Sequence, residues 1–428
     1  MIDSNEEIIK NFSGKRKVKN EFFYLTGDNG SGKSSLLYEI ATKTYISHVT
    51  PKKLELSNNK KTNNYSQEEK NIYEANKLIA CTLTPFSKFD SLNQLFNKDG
   101  YQKIGGGIGT SSKYSLIFQA LIAFCNYDEK KKKIFDEIAS IAKFPTLFKV
   151  RFAIDRYRIE REKERDIHSL FNPNLVAEKM LKIGGIFEFI LGPGFINFHP
   201  ARRYSNNLPN SLFDEPENNL EFDFLADTED LIEAILLFRR LGALRVSRID
   251  YLTSDKEWKS SNGFSSGQLS FFVSMMILAS SIEDGSNILI DEPEVSLHPA
   301  WQRLYPRILY KISKQYKYCK YFVATHSPLI INEAINQGAS VINMGSKIPN
   351  IEDVLSFDNV NIEEVFAIYF NVLTENNSFI KEIIIKSVDS LAIGNDELFN
   401  KYKSLLSIIY PRINDKDTKN IIEEILKK

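Results

Sequence analysis

The sequence predicts an α/β fold built on a mixed, mainly parallel sheet. Short apolar runs alternate along the chain with segments of helical periodicity, and parallel strands need such helical crossovers. Hydrophobic residues make up 43% of the 428 residues, which supports a sizeable core and excludes a mostly disordered chain. The runs predicted to be strands are residues 21–26, 78–83, 195–200, 286–290, 319–324 and 339–344.

Charge and cysteine content favour a soluble, cytoplasmic protein. The 55 basic residues balance the 55 acidic ones, so a contact with nucleic acid would need a local basic patch. Cys81, Cys125 and Cys319 are too scattered for a disulfide framework or a zinc site, which favours a reducing compartment. The N-terminus has no apolar signal core, and no segment approaches the roughly 20 apolar residues of a membrane span. We therefore expect no membrane partner.

A glycine-rich loop follows the first predicted strand. Residues 27–34 match the phosphate-loop pattern G-x-x-x-x-G-K-[ST] of P-loop NTPases, and a helix pattern begins at Ser34. Backbone N–H groups and the helix N-terminus would surround the phosphates, Lys33 would contact their β and γ oxygens, and the Ser34 hydroxyl would bind Mg²⁺. The residues predicted to bind the nucleotide are Gly27, Asn29, Gly30, Ser31, Gly32, Lys33, Ser34 and Ser35.

Another of the predicted strands, residues 287–290, is followed directly by two carboxylates. Asp291 has the place of a further Mg²⁺ ligand, and Glu292 has the place of a base that polarises the attacking water. The alternative is a pair of solvent-facing acids at the end of a strand. A phosphate loop in the same chain favours the catalytic interpretation.

Two further segments have the spacing of a nucleotide site. Ser265, Ser266, Gly267 and Gln268 precede a helix pattern 26 residues before Asp291, where they would either cap the helix or offer backbone donors to an anion. His326 follows the apolar run 319–324. At the end of a neighbouring parallel strand it would reach the γ-phosphate, and the alternative is a structural histidine.

These four elements together resemble the ATP-binding cassette ATPases. The resemblance implies an ABC-type ATPase head that uses ATP and Mg²⁺, with Glu292 and His326 as catalytic residues. It also implies a head-to-tail dimer or higher oligomer of this chain, in which the signature segment 265–268 contacts ATP held by the opposite subunit. The sequence departs from that family at the signature, where Phe264 and Ser266 replace the leading leucine and the first glycine, at residues 82–87, which contain no glutamine, and at the D-loop position, which residues 296–298 occupy.

Residues 291–299, DEPEVSLHP, resemble the DEP-x-x-x-LHP form of the overcoming-lysogenization-defect and RecF-like ATPases. Antiphage defence ATPases of the Septu, retron and PARIS systems are similar in size and motif style. This resemblance implies an ATPase subunit that controls a separate toxic effector, a nuclease above all. A reverse transcriptase with its RNA–DNA product is another implied partner. The alternatives are a RecF-like repair ATPase that binds DNA in an ATP-dependent way, and a structural scaffold with slow ATP turnover.

The motif spacing divides the chain into three parts. Ser265 follows Lys33 by 232 residues, which is too far for an uninterrupted cassette. We therefore predict a core of residues 1–45 and 186–375, a mainly helical insertion or lid at 46–185, and a helical C-terminal segment, 376–428, for partner docking. The polar stretch 50–69 is predicted to be a flexible loop.

Several charged positions have two interpretations. Arg202 and Arg203 would contact phosphate or lie in a surface turn, and His298 would lie at a subunit interface or cap the next helix. The basic residues of 130–133 and 151–165 would track a nucleic-acid backbone or form the solvated face of a helix.

Overall fold

The computed structural model describes the chain in two compact units, one from residues 1–103 and 283–428 and the other from residues 104–282. The residues described are 19–54, 75–82, 88–90, 101–105, 113–122, 129–154, 186–192, 195–199, 239, 242, 244–344, 360–370, 372–373 and 377–428.

The strands are numbered in chain order. They are β1 (Glu21–Thr26), β2 (Lys77–Thr82), β3 (Tyr101–Gly105), β4 (Phe148–Ile154), β5 (Ile186–Gly192), β6 (Phe195–His199), β7 (Leu244–Leu252), β8 (Trp258–Ser260), β9 (Ser286–Asp291), β10 (Lys320–Ala324) and β11 (Ser340–Asn343).

The helices are numbered in the same way. They are α1 (Lys33–Leu54), α2 (Lys113–Ile122), α3 (Glu129–Ala142), α4 (Ser266–Ser281), α5 (Pro299–Ser313), α6 (Pro328–Asn336), α7 (Ile362–Tyr369), α8 (Ser378–Ile393), α9 (Asp396–Ile409) and α10 (Lys416–Lys427).

The first unit contains the predicted parallel sheet. Its six strands run in the order β11-β1-β10-β9-β2-β3, and the pairs β1–β10, β1–β11, β9–β10 and β2–β9 are all parallel. Every residue of β9 is buried, as expected of a central strand covered on both faces. The α/β prediction is confirmed. The carboxyl ends of β1, β9 and β10 meet at one edge of the sheet, and ligands of open α/β sheets bind at that edge.

Helix α1 packs against this sheet through the face that the sequence predicts. Leu36, Leu37, Ile40 and Ala41 are fully buried in one cluster with side chains of β1, β2, β9 and β10. The helix continues through Leu54, so the predicted loop at 50–69 begins too early. A polar stretch carries no apolar periodicity, which is why the sequence could not extend the helix. The rest of that loop, 55–69, lies outside the described residues.

The second unit contains a five-stranded sheet in the order β6-β5-β4-β7-β8, in which neighbouring strands are antiparallel. The sequence predicts a mainly helical insertion at 46–185. Within its described residues lie helices α2 and α3 but also β4, and β2 and β3 from the same stretch belong to the parallel sheet of the first unit. The predicted strand near 195–200 is confirmed as β6, but it belongs to this antiparallel sheet.

Strand β4 corrects the interpretation of Arg151, the first residue of the stretch 151–165, as part of a helix face. Phe148, Val150 and Phe152 are fully buried, whereas Lys149 and Arg151 between them are partly exposed. This alternation has the period of two that characterises a strand with one covered face. Residues 155–165, the remainder of the predicted helix face, lie outside the described residues.

The C-terminal part of the first unit is helical, as predicted. Helices α7 to α10 pack around a core that includes Phe379, Phe399, Leu406 and Ile422. The helices begin at capping side chains, since Asn361, Asn377, Asn395 and Asp415 each accept a hydrogen bond from a backbone N–H of the first turn. Within the part of the chain that the structure describes, no helix has both the length and the apolar character needed to cross a membrane.

Candidate functional site

The phosphate loop connects β1 to α1, as its sequence predicts. Gly27, Gly30 and Gly32 have φ values of 138°, 81° and 96°, a region that L side chains rarely adopt. A Cβ atom on Gly27 would overlap the carbonyl oxygen of Met344, which is held there because the Met344 N–H donates to Thr26 O at 2.7 Å. The loop therefore requires glycine at position 27 for two independent reasons.

Replacing Gly27 with alanine is expected to cost more than about 3 kcal/mol of unfolding free energy, because an unfavourable φ is combined with a steric overlap. The matched control is Gly338→Ala. Gly338 also has a positive φ, 78°, but a Cβ atom added there would have no other atom within 4 Å. We expect the control to lose only about 1 kcal/mol in urea unfolding. Equal losses in the two variants would contradict the overlap at Gly27.

Lys33 is only 5% exposed and its ammonium group lies inside the phosphate loop. Its Nζ donates to Gly27 O at 3.0 Å, to Asp28 O at 3.0 Å and to Ser31 Oγ at 3.1 Å. Burial lowers the pKa of this lysine, while nearby carboxylates, Glu292 first among them, act to raise it. The loop thus holds a cation where the terminal phosphates of a nucleotide are expected.

The two predicted metal ligands are in contact. The Ser34 hydroxyl at the start of α1 donates to Asp291 Oδ1, at the end of β9, at 3.0 Å. A hydroxyl and a carboxylate are the hard oxygen ligands that Mg²⁺ prefers, and phosphate and water would complete its coordination. The residues present therefore fit Mg²⁺, and the contact joins positions 257 residues apart in the chain.

Asp291 is an unusual carboxylate because it is 6% exposed. Burial, with a smaller contribution from the charge of Glu292, raises its pKa to about 6, although the Ser34 hydrogen bond and Lys33 oppose that shift. Protons and Mg²⁺ would compete for this group. We expect Mg²⁺ affinity to fall about tenfold per pH unit below pH 6 and to be nearly independent of pH above pH 7.

This prediction can be checked by calorimetric titration of Mg²⁺ into the protein with a non-hydrolysable ATP analogue between pH 5 and 8. Asp291→Asn is the control, since an amide does not titrate in this range. A wild-type Mg²⁺ affinity that stays constant from pH 5 to 7 would remove Asp291 from the metal site.

Glu292 lies at the carboxyl edge of the sheet, directly after β9. Its φ is 49°, a conformation that non-glycine residues seldom adopt, and its N–H donates to Ala324 O at 2.9 Å. The backbone is thus fixed between the ends of β9 and β10. The side chain is half-buried and its charge acts on Lys33, Asp291 and His326. This placement suits a group that receives a proton near the phosphates.

His326 follows β10, as predicted, and it is half-buried. Burial and the positive charge of Lys33 lower its pKa, whereas Glu292 and Asp28 act to raise it. The neutral form is thereby favoured at pH 7, and neutral histidine both donates and accepts a hydrogen bond. His326 therefore interacts electrostatically with Lys33 and Asp28 of the phosphate loop and with Glu292 after β9.

Two residues of this site are not evident from the sequence. Glu294 accepts hydrogen bonds from the backbone N–H of His326 and, at 2.7 Å, from the Thr325 hydroxyl. Lys88 lies after β2 in the short 3₁₀ segment Lys88–Asp90, and its Nζ donates to Ser35 Oγ at 2.5 Å. The signal for Glu294 is its position two residues after Glu292. Lys88 lies just beyond the stretch 82–87, which contains no glutamine and of which only residue 82 is described.

The predicted signature segment belongs to the second unit. Ser265 caps α4 in a reciprocal arrangement, in which its Oγ accepts from Gln268 N at 3.2 Å and its N–H donates to Gln268 Oε1 at 3.0 Å. Ser265 and Ser266 are exposed and Gly267 is buried. The capping interpretation is confirmed, and the ATP contact across a dimer stays a prediction.

His298 also caps a helix. Its Nδ1 accepts from Ala300 N at 3.3 Å at the start of α5. Arg202 and Arg203 lie outside the described residues. Among the residues described, no three His, Cys, Asp or Glu side chains form a cluster that could hold a metal ion, so the proposed Mg²⁺ site depends on Ser34 and Asp291.

A protein-family model for the AbiEii toxin-type AAA domain of type IV toxin–antitoxin systems matches residues 230–332. The matched stretch includes the signature segment, the acidic end of β9 and His326, but not the phosphate loop. No curated protein matches the sequence. Together with the parallel sheet and the phosphate loop, the match supports a P-loop ATPase of the AAA or ABC type.

Proposed function

We propose that this chain is the ATP-binding and ATP-hydrolysing subunit of a bacterial antiphage defence complex. The observation that carries the ATPase part is the hydrogen bond between Ser34 and Asp291, because it places the two expected Mg²⁺ ligands, one after the phosphate loop and one at the acidic strand end, side by side. The likeness to an AAA domain of toxin–antitoxin systems supports the defence part. The DEP-x-x-x-LHP motif supports the same branch.

Residues near the phosphate loop would carry out the hydrolytic step. Lys33 and the loop backbone bind the phosphates, and Ser34 and Asp291 would hold Mg²⁺, which neutralises phosphate oxygens when it is bound. Glu292 orients the attacking water and accepts its proton. His326 donates a hydrogen bond to an oxygen of the γ-phosphate. The reaction converts ATP and water into ADP and phosphate, and we expect a low turnover.

Control of an effector would follow from assembly. Two copies would meet head to tail, with Ser265–Gln268 of one copy completing the nucleotide site of the other. A separate nuclease or other toxic effector would dock on the insertion or on the C-terminal helices α8 to α10, where Ile385, Val388 and Ile393 are 60%, 49% and 82% exposed. A reverse transcriptase with its RNA–DNA product is a second candidate partner.

The proposal is tested by purifying the tagged chain with the products of its operon, identifying what co-purifies, and measuring phosphate release and particle mass with and without ATP. A stoichiometric effector and ATP-dependent assembly with phosphate release are the expected results. If the chain is recovered without a partner protein and retains duplex DNA only when ATP is present, a RecF-like repair ATPase replaces the proposal. Assembly without phosphate release would replace it by a scaffold.

A further inference from the structure

The segment that carries His326 is held at two points by one continuous stretch of chain, residues 294–302. At the first point, Glu294 accepts hydrogen bonds from the N–H of His326 and from the Thr325 hydroxyl. At the second point, the Ser327 hydroxyl donates to Gln302 Oε1 at 2.6 Å. Residues on both sides of His326 are therefore fixed by the stretch that follows the acidic end of β9.

The local bonds of Thr325 and Ser327 leave little freedom at His326. The Thr325 hydroxyl accepts from Ser327 N at 3.0 Å, and the Ser327 hydroxyl accepts from Ile330 N at 3.2 Å as the cap of α6. Thr325 N donates to Leu25 O at 3.0 Å, which ties the segment to the strand that leads into the phosphate loop. Because both hydroxyls already accept local bonds, their donor hydrogens are directed at Glu294 and Gln302.

The same stretch contains an exposed turn. Leu297 N donates to Glu294 O at 2.9 Å, and Gln302 Nε2 donates to Leu297 O at 3.0 Å. Ser296, at the tip of the turn, is exposed and has a φ of 64°. Glu294 and Gln302 thus both bond to Leu297 in this turn and also to the neighbours of His326.

We propose that Glu294 and Gln302 are positioning residues that set the distance of His326 from the phosphate site. Neither residue needs to contact the nucleotide. Each acts through the backbone or a hydroxyl next to His326, so a movement of the turn 295–298 changes the position of the histidine. The inference rests on the proposed ATP hydrolysis, and its test includes a measurement that does not depend on turnover.

The kinetic test uses the full chain with Glu294→Ala, Glu294→Gln and His326→Ala. Alanine removes both acceptors, so we expect kcat to fall about tenfold, toward the value of His326→Ala, while the Kd for a fluorescent ATP analogue stays within about twofold. Glutamine can still accept from His326 N–H with its carbonyl and donate to the Thr325 hydroxyl, so this variant should retain at least about half of the wild-type kcat. A wild-type kcat in Glu294→Ala would overturn the proposal.

The double variant Glu294→Ala, His326→Ala separates positioning from general structural damage. If Glu294 acts through His326, the double variant has the same kcat as His326→Ala alone. The control is Glu333→Ala, a buried acid on α6 that pairs with Arg307 at 2.7 Å. It is expected to lose stability and to retain kcat. Losses that multiply in the double variant would overturn the proposal.

The third measurement is independent of hydrolysis. With ¹³C-labelled histidine, the five histidines give separate signals, and the His326 signal is the one absent in His326→Ala. We expect Glu294→Ala and Gln302→Ala to shift that signal and Glu333→Ala to leave it unchanged. If the wild type releases no phosphate, the ATPase proposal fails while this spectrum still decides the positioning role. An unshifted His326 signal in Glu294→Ala overturns the positioning role even if hydrolysis is found.

Discussion

Replacing Lys33 with alanine is expected to weaken ATP binding by about a hundredfold or more. The substitution removes the buried cation that the phosphate loop holds between Gly27, Asp28 and Ser31. Hydrogen bonds to charged groups contribute about 1.5–3 kcal/mol each, so the loss of even one bond to a phosphate oxygen approaches this factor. The measurement is a titration with a fluorescent ATP analogue in Mg²⁺, and ATP-dependent assembly should disappear with the affinity.

Two control variants make this result specific. Lys43 lies on the same helix, α1, and pairs with Glu39 at 2.8 Å on the surface, so Lys43→Ala should bind ATP as the wild type does. Lys33→Arg keeps the positive charge, but the planar guanidinium fits less well than an ammonium group where three loop oxygens converge. We therefore expect an ATP affinity between those of the wild type and Lys33→Ala. Calorimetric unfolding of all variants checks that they are folded. An ATP affinity within about threefold of wild type in Lys33→Ala would contradict the assignment of the loop.

The phosphate loop and the acidic strand end could be predicted because their signals are local. Eight consecutive residues define the loop, and a buried run directly before Asp291 defines the strand. The parallel sheet then brings the two together, since Leu25, Ala324 and Asp291 occupy matching positions on the neighbouring strands β1, β10 and β9. The predicted contact of Ser34 with Asp291 through a shared metal follows from that topology.

The second unit could not be predicted in the same way. In β4, Lys149 and Arg151 alternate with buried aromatic and aliphatic residues, and charged residues at this density also suit a solvated helix. The pairing of β4 with β5 and β7 decides between these possibilities, and those partners are distant in sequence. Burial of one strand face is a tertiary property that no short window reveals.

Glu294 and Lys88 escape sequence-based prediction for a related reason. Both act on residues far away in the sequence, since Glu294 contacts a segment 31 residues later and Lys88 contacts Ser35 across 53 residues. A carboxylate two positions after Glu292 is as compatible with solvent as with a buried acceptor. Only the adjacency of the ends of β9 and β10 places Glu294 beside His326.

Replacing Glu292 with glutamine is expected to lower kcat by about a hundredfold to ten-thousandfold and to leave ATP affinity unchanged or tighter. The amide has the shape of the carboxylate but cannot accept the proton of the attacking water, and general-base catalysis contributes about this much. ATP-dependent assemblies should therefore accumulate in this variant. Single-turnover phosphate release measures the chemical step directly, and Glu333→Gln is the control for removal of a buried acid elsewhere in the first unit.

The same variant has an electrostatic signature that does not depend on turnover. The charge of Glu292 raises the pKa of Asp291, so its removal should lower that pKa and shift the pH midpoint of Mg²⁺ binding downward from about 6. Slow turnover together with a shifted pH midpoint of Mg²⁺ binding would place Glu292 beside the metal site. Accumulation of assemblies in the same variant would show that hydrolysis ends assembly. If Glu292→Gln has wild-type turnover, another residue is the general base. If the variant is slow but its assembly is unchanged, ATP binding alone controls assembly.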